Sequence, residues 1–309
     1  MPLRFTFRQL EYFVAVGDAG SIALASEKVN VSSPSISAAV SQLEEEFGHQ
    51  LFVRKHAQGL SLTQAGQQFL EKAKIVLKAG EDLNRLAIDI SGSVKGPLRL
   101  GCLLTFAQLV LPSLRRDFET LYPQVKVTQF ELDQMELFAR LRRAEIDVAL
   151  TYDLNIPPDL TFSPLAELPP YALVAEHHPL ADRPAVSVRD LHEYPMVLLD
   201  LPFSADYFLS LFDDSGLKPN IAERTRDMAV MRSLVANGFG YSFANIRPKT
   251  DRAPDGSKLR FIPLTDKVRP MYLGMVNAEG AGSVLTVKAF MDHCDSKISN
   301  AHIPGMKPE

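Results

Sequence analysis

Several functional classes are excluded by what this 309-residue chain does not contain. It has only two cysteines, Cys102 and Cys294, far apart and each inside an otherwise apolar stretch. That predicts buried free thiols rather than a disulfide framework, with a redox switch as the minor alternative. No run is apolar for long enough to span a bilayer. The opening M-P-L-R-F-T-F-R-Q-L has neither an apolar core nor a cleavage site of a secretory signal, so a cytoplasmic location is expected and an exported solute-binding protein is disfavoured. Positive charge is not in excess, since the formal net charge is −4, which argues against a non-specific nucleic-acid coat. Catalytic motifs are missing too: there is no G-x-S-x-G, P-loop or H-E-x-x-H, and Gly238 and Gly240 begin a glycine pattern with no third glycine in place. His177 and His178 are adjacent rather than at metal-ligand spacing and precede Pro179 in an expected surface turn. No enzyme, cofactor or metal ion is expected.

What is present begins with three short helices. Thr6 with Gln9 forms a capping box ahead of a first helix whose expected inward face is Phe7, Leu10, Phe13 and Val14. Ser21 caps a second helix over 22–29, in which Ala23, Leu24 and Ala25 allow close crossing. Asn30 and Val31 make a turn, Ser32 caps a third helix, and Pro34 sits in its first turn, where a missing N–H costs nothing. On that helix Ile36, Val40, Leu43 and Phe47 form one stripe at about 100° per residue. Pro34, Ala38, Ser41 and Glu45 lie opposite, with Ser33 and Ser37 at the flank. So small a face suits insertion into a major groove, where hydroxyls reach base edges or phosphates and the alanine methyl meets a thymine methyl. The stretch from Leu51 to Leu62 reads as a two-stranded wing whose basic Arg54 and Lys55 suit phosphate contact. Residues 1–65 carry five basic against six acidic side chains, so no strong non-specific grip is expected from a single domain, a shortfall that pairing of two readers would offset in part.

The segment S-I-A-L-A-S-E-K-V-N-V-S-S-P-S-I-S-A-A-V-S-Q-L-E-E-E-F-G-H-Q-L-F-V-R, followed by L-S-L-T-Q-A-G, resembles the N-terminal domain of the LysR-type transcriptional regulators. The resemblance implies a winged helix-turn-helix over 1–65 that binds a double-stranded DNA operator. Ser33, Pro34, Ser37, Ala38 and Ser41 then face the groove, and Arg54 touches phosphate. Ser33 and Ala38 depart from the Gln and Arg usual in the family, so readout leans on shape, methyl contacts or the wing.

Thr63 caps a long helix in which Phe69, Ala73, Val76, Gly80, Leu83, Ala87 and Ile90 alternate spacings of four and three. This is the period of a dimerising seam, and Gly80 suggests close backbone approach. The linker helix is placed at 66–95, with Ser91, Gly92, Ser93, Gly96 and Pro97 marking a boundary. Beyond it, expected strands at 98–103, 125–130, 146–150, 171–175, 195–200, 220–225 and 239–244 alternate with helices, which implies parallel sheets. Ligands in such sheets bind beyond the strands' carboxyl ends, beside helix N-termini. Thr105, Asp133 and Ser204, each expected to cap a helix, are therefore placed around one cleft with Leu103, Phe203 and Met228 as apolar walls. Asp133 and Asp200 favour a cationic or hydroxylated effector and the helix ends a carboxylate, a choice the sequence leaves open.

The motifs L-R-L-G-C-L-L-T, L-Y-P-Q-V, A-E-I-D-V-A-L, Y-A-L-V-A-E-H-H-P-L-A and V-A-N-G-F-G-Y are similar to the LysR-type effector-binding domain. The likeness implies an α/β fold of two lobes, like that of periplasmic binding proteins, with a first lobe at 96–162 and 269–309 and a second at 163–268. It matches Leu103 to Thr105, Asp133, Phe203 and Ser204 to cleft positions for a small-molecule effector, and it implies a tetramer built from dimers.

Overall fold

The computed structural model describes residues 3–55, 59–90 and 92–307. The chain divides into two compact units, Met1–Ile90 and Ser91–Glu309.

In the first unit, α1 (Phe7–Ala19), α2 (Ile22–Val29) and α3 (Ser33–Phe47) precede the antiparallel pair β1 (Phe52–Lys55) and β2 (Gly59–Leu62), and α4 (Gln64–Ile90) follows. The capping box forms: Gln9 N donates to Thr6 Oγ1 at 3.2 Å and Thr6 N to Gln9 Oε1 at 2.8 Å. Asn30 ends α2 in the left-handed conformation, φ 53°, as an Asn at a tight turn can. Leu10, Phe13, Val16, Ala25, Ile36, Val40, Leu43, Leu51 and Ala73 are buried together. Three expectations fail locally. Ser32 makes no capping bond, because its hydroxyl pairs with Ser35 Oγ at 2.8 Å. Phe7 is 53% exposed, and in α2 only Ala25 is buried, while Leu24 is 55% exposed and Ala23 faces out.

Thr63 caps α4 by accepting from Gly66 N at 2.8 Å. Gly66 is needed for close approach, since a Cβ there would lie 2.0 Å from the Leu51 carbonyl oxygen. The heptad seam of α4 is only partly available to a partner. Phe69 stacks on Phe47 at 4.5 Å and Ala73 is buried against the winged core, so both pack within their own unit. Gly80 accommodates Phe7, whose ring would stand 2.6 Å from an added Cβ. The close approach read from Gly80 is therefore made by the chain's own first helix. Val76 and Leu83 stay exposed beside Ile75, and the side chains of Ala87 and Ile90 lie outside the described residues.

The second unit opens with β3 (Gly96–Leu103), α5 (Leu104–Ala107), α6 (Leu111–Leu121), β4 (Val125–Leu132), α7 (Gln134–Arg142), β5 (Val148–Tyr152) and β6 (Leu160–Leu168). It continues with β7 (Tyr171–Ala175), α8 (Val188–Leu191), β8 (Pro195–Leu199), α9 (Ser204–Ser210), β9 (Asn220–Thr225), α10 (Met228–Ala236), β10 (Ser242–Ala244), β11 (Leu259–Pro263), β12 (Met271–Ala278) and α11 (Leu285–Lys297). One lobe holds a five-stranded sheet in the order β4-β3-β5-β12-β6, with β3 parallel to β4 and β5, and β12 antiparallel to β5 and β6. The other holds the antiparallel sheet β10-β7-β11 and the parallel pair β8-β9. The all-parallel expectation is therefore corrected. Strands that carry the chain between lobes and back run against their neighbours, whereas β3, β4, β5, β8 and β9 are reached through helices. The lobe edge also moves: β6 pairs with β12 as far as Leu168, so Phe162 lies inside the first sheet and the chain leaves it at Pro169 and Pro170. Helix α11 closes one face through Phe290, set edge-on to Phe118 at 5.1 Å.

Candidate functional site

Helix α3 presents the arrangement expected of a groove reader. Pro34, Ala38 and Ser41 are exposed and Ser33 and Ser37 half-buried, while Ile36, Val40 and Leu43 anchor the opposite side. The backbone of Arg54 and Lys55 belongs to β1, opposite Leu60 and Gly59, but their side chains and the wing tip at 56–58 lie outside the described residues. The wing is held to the reader by Glu44, whose Oε1 accepts from Leu51 N at 2.7 Å and Phe52 N at 3.2 Å. A carboxylate satisfying two backbone donors fixes both elements in one geometry. Nothing in the sequence marks this role, because Glu44 sits in the acidic run Glu44, Glu45 and Glu46.

In the second unit, the residues expected at the cleft gather around it in different ways. Thr105, from the end of the first sheet, and Ser204 and Met228, from the other lobe, line one cavity of about 20 Å³ together with Tyr152, Leu201, Phe208 and Asn245. That is room for about one water molecule. Neither Thr105 nor Ser204 caps its helix. Leu103 occupies the cap position of α5 and Phe203 that of α9, and neither helix start has a side-chain capping bond. Instead both hydroxyls are buried: Ser204 Oγ has no hydrogen-bond partner among the described residues, and Thr105 Oγ1 has only the Tyr152 hydroxyl beside it. Asp133 does cap, accepting from Glu136 N at 3.0 Å, and its second oxygen takes Arg226 from the other lobe at 2.9 Å. Asp200 is likewise paired, with Arg224 at 3.1 Å. Neither carboxylate is left to attract a cationic effector. Leu103 is wholly buried at the end of its strand.

Phe203 crosses between the lobes, its ring stacking on Phe138 of α7 at 6.3 Å. Its backbone sits at φ 63°, ψ −38°, and Ser204 N donates to Pro202 O at 2.8 Å, a strained γ-turn. That bond uses the first N–H of α9, so this helix start offers fewer free donors to an anion than expected. Behind the cavity, the buried Tyr152 hydroxyl donates to Asn245 Oδ1 at 2.9 Å. Burial pushes the Tyr152 phenol up, against the opposing influence of Thr105 and Asn245, so it remains a neutral donor.

Sequence comparison identifies this architecture. The family model for the LysR substrate binding domain matches residues 91–298, and that for the bacterial regulatory helix-turn-helix protein of the lysR family matches residues 7–67. The chain belongs to the LysR family. HinK, a LysR family transcriptional regulator from Pseudomonas aeruginosa, is 35% identical at TM-score 0.65, with 96% of this chain and 99% of that chain covered. The HTH-type transcriptional regulator YnfL of Escherichia coli is 28% identical over 281 residues, covering 88% of this chain and 92% of the relative. A structure of full-length CbnR complexed with its target DNA matches in fold, at 24% identity and TM-score 0.68, covering 94% and 99% of the two chains. This chain is thus a LysR-type DNA-binding transcriptional regulator with an N-terminal helix-turn-helix and a two-lobed α/β domain.

The two cysteines of this LysR-type regulator are not poised for thiolate chemistry. Cys102 and Cys294 are buried and free, and burial pushes both thiols well above their ordinary range, which keeps them protonated and poorly nucleophilic. Among the described residues no group of His, Cys, Asp and Glu could hold a metal ion, and no helix is long and apolar enough to cross a membrane. Sequence reasoning missed Arg226, Tyr152 and Asn245. Arg226 could have been suspected from its place just before the capping Asp227. The other two become neighbours only when separate strand ends are brought together.

Proposed function

We infer that this regulator responds to a small uncharged or hydroxylated effector bound between its lobes. One lobe comprises 96–162 with 269–309, widened by the rest of β6, and the other the remainder of 163–268. Paired winged domains bind an interrupted palindrome in double-stranded DNA. The reading rests on two buried hydroxyls from opposite lobes that face one cavity: Ser204 Oγ, which has no partner among the described residues, and Thr105 Oγ1, which has only the Tyr152 hydroxyl beside it. Buried polar groups are almost always satisfied, and leaving one unsatisfied costs about 1–3 kcal/mol. Such hydroxyls on one cavity wall mark where a ligand's polar atoms belong. Met228 lines the same cavity, while Leu103, Asp133 and Phe203 stand outside its wall, Asp133 joining the lobes through its ion pair across the cleft. An effector acts through its different affinity for two lobe arrangements, and the lobe arrangement sets the spacing of the paired readers. Self-association runs along the Val76 and Leu83 side of α4, and dimers pair into a tetramer.

Two measurements test this. A thermal-shift screen of small polyols, amides, carboxylates and amines on the intact chain should find a stabilising ligand that loses its effect in Thr105→Val. Stabilisation by ligands that ignore both hydroxyls would place the effector elsewhere. For the reader, Arg54→Ala should weaken binding to all duplexes alike and flatten the salt dependence by about one unit for each phosphate it no longer neutralises. Substitutions at Ser37 and Ala38 should instead change sequence preference. An unchanged salt slope in Arg54→Ala would turn the wing away from the duplex.

A further inference from the structure

The chain joins its two lobes covalently in two places, at Pro169 and Pro170 and again between Pro263 and Met271. The tail that follows α11, beyond residue 298 where the family match ends, joins them a third time without a covalent link. A turn closed between Ser299 and His302 ties it to the first lobe, where Asn300 Oδ1 accepts from Glu167 N of β6 at 2.8 Å. Ile303 and Met306 are then buried in the core. Gly305, between them, lies so close to Leu109 of the first lobe that a Cβ would stand 1.9 Å from the Leu109 carbonyl oxygen. Its φ of 78° is also one that a side chain disfavours, so glycine alone fits. The next two residues hold the second lobe. Met306 pairs with Pro248 in a short antiparallel bridge, Lys307 N donates to Arg247 O at 2.9 Å, and the Lys307 ammonium meets Asp251 at 3.7 Å.

We propose that residues 299–307 are a strap that restrains movement between the lobes. Rotation about the two covalent crossings cannot leave both ends of the tail in place: either Asn300 and Gly305 part from the first lobe, or Met306 and Lys307 part from the second. The two grips are unequal. The first-lobe end continues directly from α11, whereas the second-lobe end depends on one backbone bond, a short bridge and an ion pair whose side chains are about half exposed, so release begins at Lys307. Parting of the lobes then includes detachment of the tail. This inference rests on the lobes moving, as the proposed function requires, and not on what the cleft binds.

The test therefore needs no effector. Hydrogen exchange of the intact chain is followed by mass spectrometry in segment 201–208, whose Leu201, Ser204 and Phe208 line the inter-lobe cavity, with strands β5 and β8 as reporters of the fold. Gly305→Val lifts the tail off Leu109. It should speed exchange in 201–208 at least about tenfold, the scale of two lost hydrogen bonds, and leave β5 and β8 unchanged. Lys307→Glu alters only an exposed side chain and sets like charge against Asp251. It should speed exchange in the same segment about two- to fivefold at low salt and have no effect at high salt. Three results would each overturn the strap: wild-type exchange of 201–208 in Gly305→Val, equal acceleration of β5 and β8, or wild-type exchange in Lys307→Glu at low salt. The second would make the tail a part of the general fold rather than a restraint on the lobes.

Discussion

Thr105 and Ser204 are where residue type and residue role part company. Hydroxyl residues at helix starts usually cap, and removing a cap costs about 1 kcal/mol. Here the cap positions belong to Leu103 and Phe203, so that penalty does not apply. Ser204→Ala should therefore leave the thermal midpoint unchanged or raise it, because it deletes a buried hydroxyl without a partner, whereas Thr105→Val also removes the hydroxyl beside Tyr152 and should lower the midpoint by no more than one hydrogen bond, about 1 kcal/mol. Effector binding should weaken by about 1–3 kcal/mol in each variant, since a ligand group then goes unpaired. Calorimetry against an identified effector checks this, and a lowered midpoint with full affinity would return both residues to a purely structural role. Which caps were legible follows from competition for the hydroxyl. Thr6, Ser21, Thr63 and Asp133 cap as their sequence contexts predict. Ser32 does not, because Ser35 lies one turn away and takes its hydroxyl, and side-chain pairing of that kind leaves no trace in a cap pattern.

At the scale of elements, periodicity identified the long helix but not which neighbour its stripe meets. A heptad pattern records that a face is covered, and α4 divides that face between its own winged core and whatever packs on the remainder. Ala73 is 5% exposed, Val76 39% and Leu83 68%. Leu83→Asp should then leave the fold intact while weakening self-association and, with it, operator binding. Ala73→Asp should instead unfold the N-terminal unit, because an unpaired charge would be buried against Leu10, Phe13 and Leu43. Sedimentation together with circular dichroism separates these outcomes, and a Leu83→Asp chain that self-associates at the wild-type concentration would move the interface off this helix. Strand order shows the same limit. Among the parallel strands, β5 and β8 announce themselves as apolar runs, whereas β6, β11 and β12 pair with distant strands through antiparallel registers that no local pattern encodes.

Across the second unit, the contacts that join the lobes beside the cleft include the Asp133–Arg226 ion pair at 2.9 Å and the stacking of Phe203 on Phe138, with the Tyr152–Asn245 hydrogen bond behind the cavity. With these in place the cavity at Thr105 and Ser204 has about 20 Å³, too little for any effector larger than a water molecule. An effector bound there, as proposed above, requires the lobes to part, and the ion pair opposes that opening. Arg226 is 66% exposed, so its ion pair contributes about 0.2–1 kcal/mol and is screened by salt. Arg226→Gln keeps the Asp133 cap on α7 while removing the charge across the cleft. It should raise the fraction of open, binding-competent chains by up to about fivefold at the upper end of that energy, and tighten effector affinity by the same factor while the open form is the minor one. Wild-type affinity should rise with ionic strength and the variant's should not, because screening mimics the mutation. The measurement is effector titration of both chains at low and high salt. Weaker binding by Arg226→Gln at every salt concentration would mean that Arg226 holds the effector itself rather than the closed cleft.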